Sequence, residues 1–379
     1  MTLCLTHPGE SRLEHNTPST VDHAVDGRPL VRKSPRRMPR LEPVRKGIPA
    51  NGGRQIFDLD GVQRLLADLT AACRAKVQGR DDVIEMVLIA MLADGHVLLE
   101  DHPGSGKTTL AKALGTAIVR PEGDGAIQSF RRIQFTPDLL PSDVTGTTVF
   151  DSEAKRFDFH PGPVFANVVL ADEINRTGPK VQAALLEAMA EKQVTVDNKT
   201  HALEPLFFVL ATQNPLDLCG TYPLPAAQLD RFLFKVKMSY LERESELAVL
   251  ACRAKPTSTA PRRDMTPATI LAARDVIRQQ VDVSSNVHEC LVDIAQALRH
   301  DRRVAQAIST RCLVLAIDAL KARAAMNGRD FVSPRDVKDL AIPLFSHRLQ
   351  LKSQNGDTDT VVRDCVLPVL ESMIRKSLK

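Results

Sequence analysis

The residue types best suited to chemistry are concentrated in one glycine-rich segment, residues 101–109, which reads DHPGSGKTT. An apolar run, 96–99, precedes this segment, and Leu110, Leu114 and Ala117 follow it at helical spacing. The segment is therefore predicted to connect a strand to a helix. A loop in this position directs backbone N–H groups at phosphate oxygens, and the positive end of the helix dipole adds to the attraction.

Individual side chains of this loop have distinct predicted roles in binding ATP and Mg²⁺. Lys107 reaches the β- and γ-phosphates, and the Thr108 hydroxyl is a ligand for Mg²⁺. The strict motif has glycine where this chain has Asp101, a residue that tolerates unusual backbone angles better than most. The predicted phosphate-binding residues are Gly104, Ser105, Gly106, Lys107, Thr108 and Thr109.

Two carboxylates follow a second apolar run further along the chain. Residues 168–171 (VVLA) predict a buried strand, and Asp172 and Glu173 come directly after it. Asp172 is a predicted magnesium ligand, and Glu173 is the predicted base that orients and deprotonates the attacking water. Phosphoryl transfer needs such positioning and charge neutralisation more than covalent catalysis. The sequence thus predicts Mg²⁺-dependent hydrolysis of ATP.

Three further polar residues are candidates to join the catalytic Glu173. Asn214 follows a third predicted strand, where its amide is a candidate contact for the γ-phosphate or the attacking water; the competing interpretation is a turn residue before Pro215. Arg231 is a candidate arginine finger if chains assemble into a ring, and otherwise a salt-bridge partner of a neighbour such as Asp230. Arg311 begins a predicted helix and is a candidate to reach the same phosphates across an interdomain cleft.

The elements that position these residues are predicted to form an α/β domain. From residue 57 to about 238, short apolar runs alternate with helical patterns, which is typical of a parallel sheet flanked by helices. The third buried strand is predicted at 206–211. Residues 193–196, followed by a turn at 197–199, predict a hairpin.

After Tyr240 the pattern becomes helical. The pairs Thr266-Pro267 and Ser333-Pro334 each predict an N-cap followed by proline at the first helical position, and Pro343 is expected to disturb the second of these helices. We therefore expect four regions. They are a disordered basic tail over 1–54, an α/β nucleotide-binding domain over 55–240, a smaller all-α lid domain over 241–350 and a helical C-terminal extension over 351–379.

Composition narrows the class of protein further. The net charge is +4, but residues 28–46 contain eight Lys and Arg against the single acid Glu42, so the rest of the chain is close to neutral. With no Trp and two Tyr among 379 residues, nothing in the composition indicates the aromatic platforms that bind single-stranded nucleic acid. The seven cysteines show no CxxC spacing, and no apolar stretch is long enough to span a bilayer. We expect a cytoplasmic protein that does not act on nucleic acid.

Seven further runs of the sequence are specific enough to identify a family. They are residues 130–143 (FRRIQFTPDLLPSD), 161–167 (PGPVFAN), 171–176 (ADEINR), 221–225 (TYPLP), 230–232 (DRF), 328–332 (GRDFV) and 347–349 (HRL). With these runs the chain resembles the MoxR-type AAA+ ATPases over about residues 77–349. The resemblance implies that Asn214 and Arg311 are the first and second sensors of nucleotide state and that Arg231 is a finger offered to the next subunit. It also implies that the segment 77–80, with Val77 and Gly79, lines the adenine pocket, although the family usually has Gln where this chain has Arg80.

The resemblance implies a biological role as well. Members of the family are thought to act as chaperone-like motors, typically hexameric, that work with proteins carrying a von Willebrand A domain. The loop at 149–165 and the hairpin at 193–203 would face the pore of the ring or partner proteins. The expected function is remodelling, maturation or assembly of client proteins.

Three other functions remain open at this stage. A magnesium-chelatase motor subunit is a close relative of the same fold, and it would be identified by a response to a chelatase partner with porphyrin. A nucleic-acid motor would depend on the basic tail and would lose its stimulation by DNA at high salt. A nucleotide-gated scaffold would bind ATP without turnover, but the presence of Glu173, Asn214 and Arg231 argues against it.

Overall fold

The apolar runs of the sequence form the inner strands of a five-stranded sheet. Strand β5 (Ala166–Asp172) is buried along its whole length, and β8 (Phe208–Gln213) and β1 (Val97–Glu100) are buried except at their last residue. Strands β2 (Gln128–Gln134) and β9 (Phe234–Lys237) form the edges. The order is β2-β5-β8-β1-β9, and every neighbouring pair is parallel. The predicted α/β class is confirmed.

The structure is a computed structural model that describes residues 58–100, 105–120, 127–214, 220–252, 265–353 and 356–377. All of these residues belong to the unit Ala50–Lys379, and the other unit of the chain is Met1–Pro49. The predicted basic tail and the first four residues of the predicted phosphate loop, 101–104, which include Asp101 and Gly104, lie outside the described residues. The domain boundaries expected from the sequence stay predictions.

Helices cover both faces of the sheet and make up most of the C-terminal part. In the α/β part they are α1 (Leu59–Arg74), α2 (Asp81–Leu92), α3 (Lys107–Ala117), α4 (Pro141–Thr145), α5 (Pro179–Glu191) and α6 (Ala226–Leu229). In the C-terminal part they are α7 (Arg243–Cys252), α8 (Pro267–Gln280), α9 (Ser285–His300), α10 (Thr310–Met326), α11 (Pro334–Phe345) and α12 (Thr358–Ser377).

Two hydrophobic clusters divide the core between the two faces of the sheet. One cluster joins α1, α2 and α3 to the helices of the C-terminal part, with Val168, Leu170 and Phe208 from the sheet. The other lies under α5 and includes Val169 and Ala171, which alternate with the first set along β5. The C-terminal helices therefore share a core with one face of the sheet, where α10 packs on α2 and α11 packs on β9.

Two antiparallel hairpins project from the α/β part. The first pairs β3 (Gly146–Asp151) with β4 (Arg156–Pro161). The second pairs β6 (Gln193–Val196) with β7 (Lys199–Ala202), as the sequence predicted. Its two turn residues, Asp197 and Asn198, both have positive φ, the conformation that tight hairpin turns require.

The predicted helix starts in the C-terminal part are also confirmed. The Thr266 side chain accepts a hydrogen bond from the Thr269 N–H, and Ser333 forms a capping box with Asp336. Pro343 leaves α11 intact to Phe345, because the apolar face of this helix packs against its neighbours and outweighs the local cost of proline.

One element of the C-terminal part was not predicted. A short antiparallel pair, β10 (Val304–Gln306) with β11 (Gln350–Leu351), connects the segment before α10 to the segment after α11. Among the described residues, no helix is both long enough and apolar enough to cross a membrane.

Candidate active site

The carboxyl ends of the three inner strands lie side by side at one edge of the sheet. Leu99 of β1 is in register with Thr212 of β8, and β5 lies on the other side of β8. Because all the strands are parallel, the residues that follow them emerge at the same edge, where α/β sheets bind ligands. Asp172 ends β5, Asn214 follows β8, and the segment that leads to Lys107 follows β1.

Asp172 is buried, and both of its carboxylate oxygens accept hydrogen bonds. The Thr212 hydroxyl donates to Oδ1 over 2.7 Å, and Nη2 of Arg132 on β2 donates to Oδ2 over 2.6 Å. Thr212 is fully buried, whereas the side chain of Arg132 is 47% exposed. A rigid neighbour therefore fixes one oxygen of the carboxylate, and a more mobile cation contacts the other.

Glu173 has a left-handed backbone conformation, with φ 58° and ψ 48°, and caps the 3-10 helix Ile174–Arg176. This conformation is uncommon for a residue with a β-carbon, and outside tight turns such residues cluster at functional sites. The side chain turns toward β2, where Oε2 accepts a hydrogen bond from Gln134 Nε2 over 2.9 Å. Oε2 also lies 3.2 Å from Nε of Arg176. The carboxylate is thus held by two donors of its own chain.

The described part of the predicted phosphate loop leads directly into α3. Gly106 has φ 94° and ψ 10° and precedes the first helical residue, Lys107. The Ser105 hydroxyl oxygen is buried and has no hydrogen-bond partner among the described residues. Thr108 and Thr109 are exposed in the first turn, which contains no acidic residue. The N-terminus of α3 therefore presents N–H groups and hydroxyls without a competing negative charge.

The segment predicted to line an adenine pocket lies next to this loop. Val77 is buried, and its Cγ1 atom lies 4.0 Å from the position that a β-carbon on Gly106 would occupy. Gly79 has φ +69°, and a β-carbon there would come within 2.5 Å of the Ser245 side chain. Glycine is therefore required at position 79 both by the backbone and by the start of α7. Arg80 lies beside it and donates to the Ser239 carbonyl over 2.6 Å.

Asn214 lies at the same edge of the sheet as Asp172. Its carbonyl oxygen is 3.5 Å from Nδ2 of Asn175, a buried residue that follows Glu173 by two positions. The Oδ1 atom of Asn175 has no hydrogen-bond partner within the described residues. The structure thus brings Asn214 together with the Asp172–Glu173 pair.

Arg231 has different surroundings. It follows α6 and is half-buried, and its guanidinium makes no hydrogen bond or ion pair with the part of the chain that the structure describes. Its neighbour Asp230 pairs with the buried Arg348 over 2.7 Å. The competing interpretation of Arg231 as a salt-bridge partner of Asp230 is therefore not what the structure shows.

Arg311, the second residue of α10, is exposed and likewise makes no ion pair or hydrogen bond with the described residues. Burial raises the pKa of the next residue, the Cys312 thiol, to about 11, and the charges of Arg348 and Asp230 also act on this thiol. The start of α10 is therefore within electrostatic range of the end of α6. Within the described residues, no hydrogen bond or ion pair joins Arg311 or Arg231 to Asp172.

Three residues of this site were missed by the sequence analysis: Arg132, Gln134 and Thr212. Arg132 and Gln134 are two residues apart on β2, so their side chains share one face of the strand. Thr212 directly follows the apolar run predicted as the third strand. A polar residue at the end of a buried run was the signal used for Asp172, and it applied equally to Thr212.

The residues present fit a nucleoside triphosphate with Mg²⁺. A β-carbon on Gly106 would meet only Val77 Cγ1, at 4.0 Å, and the neighbouring Ser105 hydroxyl has no hydrogen-bond partner among the described residues. Thr108 and Asp172 offer oxygen ligands, which Mg²⁺ prefers. The described residues contain no group of three or more His, Cys, Asp and Glu that would hold a metal alone. A phosphate-bound Mg²⁺ needs only one or two protein carboxylates.

Comparison with known proteins agrees with this geometry. A model of the ATPase family associated with various cellular activities (AAA) matches residues 96–234. A model of the AAA lid domain matches residues 296–365. The crystal structure of a candidate ATPase from Cytophaga hutchinsonii superimposes with a TM-score of 0.70 at 32% identity, covering 84% of this chain and 96% of that one.

Three individual relatives narrow the assignment from the AAA ATPases in general to one family within them. The chain is 43% identical over 310 residues to the uncharacterized protein YeaC of Bacillus subtilis, covering 78% of this chain and 93% of the relative. It is 38% identical over 292 residues to Chaperone MoxR1 of Mycobacterium tuberculosis, covering 73% of each. It is 30% identical over 308 residues to Protein MoxR of Paracoccus denitrificans, covering 75% of this chain and 88% of the relative.

The sheet order, the helical lid and the residues at the strand ends define an AAA+ ATPase. Because relatives named MoxR match most of its length at 30% identity or more, the chain belongs to the MoxR family of AAA+ ATPases. The resemblance noted in the sequence is confirmed.

Proposed function

We propose that this chain hydrolyses ATP with bound Mg²⁺ and couples the cycle to the remodelling, maturation or assembly of client proteins. The observation that carries the proposal is the joint positioning of Asp172 and Glu173 at the strand ends. One carboxylate is fixed by Thr212, and the next residue turns in a left-handed conformation toward the same edge. Two carboxylates with separate supports are suited to separate tasks, metal binding and activation of water.

In this proposal the N-terminus of α3 binds the phosphates. The N–H groups of residues 105–109 and the ammonium of Lys107 contact the β- and γ-phosphates, and Gly104 completes the loop. Thr108 and Asp172 would hold the Mg²⁺, which when bound supplies charge neutralisation to the γ-phosphate. Val77 and Gly79 are the proposed contacts for adenine.

Glu173 is the proposed general base. Its carboxylate accepts a proton from water and orients the oxygen for in-line attack, and the Asn214 amide contacts the γ-phosphate or the same water. In the described structure Gln134 and Arg176 hold the Glu173 carboxylate. A change at β2 or in the 3-10 helix Ile174–Arg176 would therefore reorient the base.

The two arginines support the proposal of a ring, with a hexamer as the expected size. Arg231 and Arg311 have no hydrogen-bond or ion-pair partner among the described residues, although a charged guanidinium gains strongly from an anionic partner. A phosphate bound by the next subunit is such a partner. We propose Arg231 as the finger and Arg311 as the second sensor.

Two features support a role in handling proteins. A relative that is 38% identical is named a chaperone. In addition, the β3–β4 hairpin exposes Phe150 and Phe157, which are 53% and 67% accessible and whose rings lie 5.1 Å apart. An exposed aromatic pair is suited to contact with apolar segments of a client protein. The proposed partner is a protein with a von Willebrand A domain, and the proposed location is the cytoplasm.

The experiment that tests this proposal compares Glu173→Gln with Glu187→Gln. Glu187 is an exposed residue of α5 and provides a matched control for the loss of one charge. We expect Glu173→Gln to bind Mg-ATP with unchanged affinity and to lose turnover by about 100-fold or more, because a general base contributes about that much. Equal turnover in wild type and Glu173→Gln would refute the assignment.

The ATPase rates of wild type and Glu173→Gln also distinguish the proposed role in handling client proteins from the other candidate functions. A protein client or a von Willebrand A partner is expected to raise the ATPase rate of wild type and not that of Glu173→Gln. Stimulation by a chelatase partner with porphyrin would instead indicate a chelatase-like motor. Stimulation by DNA that disappears when residues 1–54 are deleted would indicate a nucleic-acid motor.

A further inference from the structure

The Thr212 hydroxyl connects the two acidic residues of the site through one atom. It donates its proton to Asp172 Oδ1 over 2.7 Å, and it accepts the backbone N–H of Glu173 over 2.9 Å. A hydroxyl has one proton and two lone pairs, so these two bonds use its donor and one acceptor. A single side chain therefore sets the position of one carboxylate and the backbone position of the other.

The surroundings of Thr212 make this connection rigid. The residue is fully buried in β8, with β5 on one side and Leu99 of β1 in register on the other. A β-branched side chain in a strand is restricted at χ1. Water has no access to replace the hydroxyl. The geometry at Asp172 Oδ1 is therefore set before any ligand arrives.

The surroundings of Oδ2, the other carboxylate oxygen of Asp172, are more open to solvent. Oδ2 is contacted by Arg132, whose side chain is about half exposed and which also donates to Gln134. An exposed arginine can move away when a divalent cation approaches, whereas Thr212 cannot. The oxygen held by Thr212 is thus the fixed reference, and the other oxygen is the one free to change partner.

The second bond acts on Glu173. Its left-handed backbone, with φ 58°, is unfavourable for a residue other than glycine and persists only when its surroundings impose it. The bond from the Glu173 N–H to Thr212 is one such constraint. Without it, the backbone of Glu173 loses one constraint on its left-handed conformation, and only the contacts from Gln134 and Arg176 would keep its carboxylate at the strand edge.

We infer that Thr212 is a positioning residue that places Asp172 for the metal and Glu173 for the water. The inference rests on the proposed roles of those two carboxylates and goes beyond them. It assigns their relative geometry to one hydroxyl on a third strand. The expected consequence is that removal of this hydroxyl impairs metal binding and turnover together, with nucleotide affinity in the absence of metal unchanged.

The test replaces Thr212 by Val, which keeps the shape and removes the hydroxyl, and by Ser, which keeps the hydroxyl and removes the methyl group. We expect Thr212→Val to lower kcat by about 10- to 100-fold and to weaken Mn²⁺ binding by a similar factor, as is usual when a residue that orients a metal ligand is lost. Mn²⁺ binding is measured by electron paramagnetic resonance with a non-hydrolysable ATP analogue. Thr212→Ser is expected to stay within a few-fold of wild type.

Thr177→Val is the matched control. Thr177 is also fully buried, and its hydroxyl has no hydrogen-bond partner among the described residues. This variant is expected to keep wild-type turnover and Mn²⁺ affinity. If Thr212→Val does not fold, Thr212→Ala replaces it with the same expectations. Wild-type values in the Val or Ala variant, or equal losses in Thr212→Val and Thr212→Ser, would overturn the inference.

Asp172→Asn separates this inference from the proposed function. If Asp172→Asn keeps turnover and Mn²⁺ affinity, the proposed metal site is wrong, whatever Thr212 does. If Asp172→Asn loses both and Thr212→Val loses neither, only the role of Thr212 is wrong. If Thr212 acts on the metal through Asp172, the double variant binds Mn²⁺ no more weakly than Asp172→Asn alone.

Discussion

Two charged regions of this molecule differ in whether their charged side chains have hydrogen-bond or ion-pair partners within the described part of their own chain. In the strand-end cluster (Arg132, Gln134, Asp172, Glu173 and Thr212), every carboxylate has donors from neighbouring strands or turns. In the arginine edge (Arg231 and Arg311), neither guanidinium has a partner among the described residues. The backbone next to Arg231 is nevertheless fixed, because the buried Arg348 pairs with the preceding residue, Asp230.

This difference indicates which half of a catalytic site one chain supplies. A buried acid is costly unless it is paired, so the strand-end cluster is completed within the chain. A guanidinium that solvent reaches stays hydrated until an anion binds, and this applies to the exposed Arg311 and to the half-buried Arg231. The comparison predicts that variants of the strand-end cluster act within one subunit, whereas variants of the arginine edge act on the site of a neighbour.

The largest expected effect that tests this difference comes from Arg231→Ala. Loss of an arginine finger lowers turnover by about 1,000-fold or more, so we expect assembled protein to lose activity on that scale. The affinity of the isolated chain for Mg-ATP should stay within about 2-fold, because no described contact joins Arg231 to its own Asp172.

Arg363→Ala is the control for Arg231→Ala. Arg363 is an exposed residue of α12 without a described ion pair, and its loss should leave turnover unchanged. Assembly of each variant is checked by light scattering. A large drop in the nucleotide affinity of isolated Arg231→Ala chains would place Arg231 in its own site and remove the contrast.

Arg348→Ala is expected to have the next largest effect, now on stability. Arg348 is buried, pairs with Asp230 over 2.7 Å and donates to the Phe232 carbonyl over 2.7 Å. Its removal leaves the Asp230 carboxylate without this ion pair and the Phe232 carbonyl with only the contact from His347, so the free energy of unfolding should fall by about 3 kcal/mol. Urea unfolding measures this change.

A surface pair provides the comparison for Arg348. Arg335 contacts Asp339 over 3.6 Å with 86% of its side chain exposed, so Arg335→Ala should cost about 0.5 kcal/mol or less. If Arg348→Ala lowered the free energy of unfolding as little as Arg335→Ala does, the segment 230–232 would not be held rigidly by Arg348. Arg231 would then have no fixed direction.

The smallest expected effect is a pH dependence of stability from His347, which lies next to Arg348 and contacts the Phe232 carbonyl. Burial, with a contribution from the Arg348 charge, lowers the pKa of His347 well below 6.5. The unfolded chain therefore binds a proton that the folded chain does not. The stabilisation is complete above about pH 6.5 and is lost as the pH falls below it, by about 2 kcal/mol between pH 7 and pH 5.

His347→Gln, measured by urea unfolding over the same range, should remove this part of the slope. A residual slope is expected from His96, because burial lowers its pKa to about 4. If His347→Gln left the pH dependence of the free energy of unfolding unchanged, the buried surroundings of His347 would have to open to water below pH 6.5.

The contiguous parts of the site could be predicted from the sequence. The loop 101–109 and the pair Asp172–Glu173 are each compact motifs next to an apolar run, so residue order alone predicts their position. The helix starts at Thr266 and Ser333 were predicted for the same reason, since a cap is a local structure.

The contacts between strands could not be predicted in this way. The bonds from Thr212 and Arg132 to Asp172 depend on the order β2-β5-β8 and on register, which tertiary packing decides. Strand β2 was missed because most of its residues are polar and only Ile133 is fully buried, so the strand lacks the expected apolar alternation. The pair β10–β11 was missed because it is very short and distant in sequence.

The most direct test of the contrast between the two regions is complementation between Arg231→Ala and Glu173→Gln chains. Each variant alone is expected to be nearly inactive. A mixed ring contains interfaces in which the first chain supplies Glu173 and the second supplies Arg231, about a quarter of all interfaces at equal mixing in a head-to-tail ring. Turnover should therefore recover to about a quarter of the wild-type rate. No recovery, with mixed rings demonstrated by native mass spectrometry, would contradict the account.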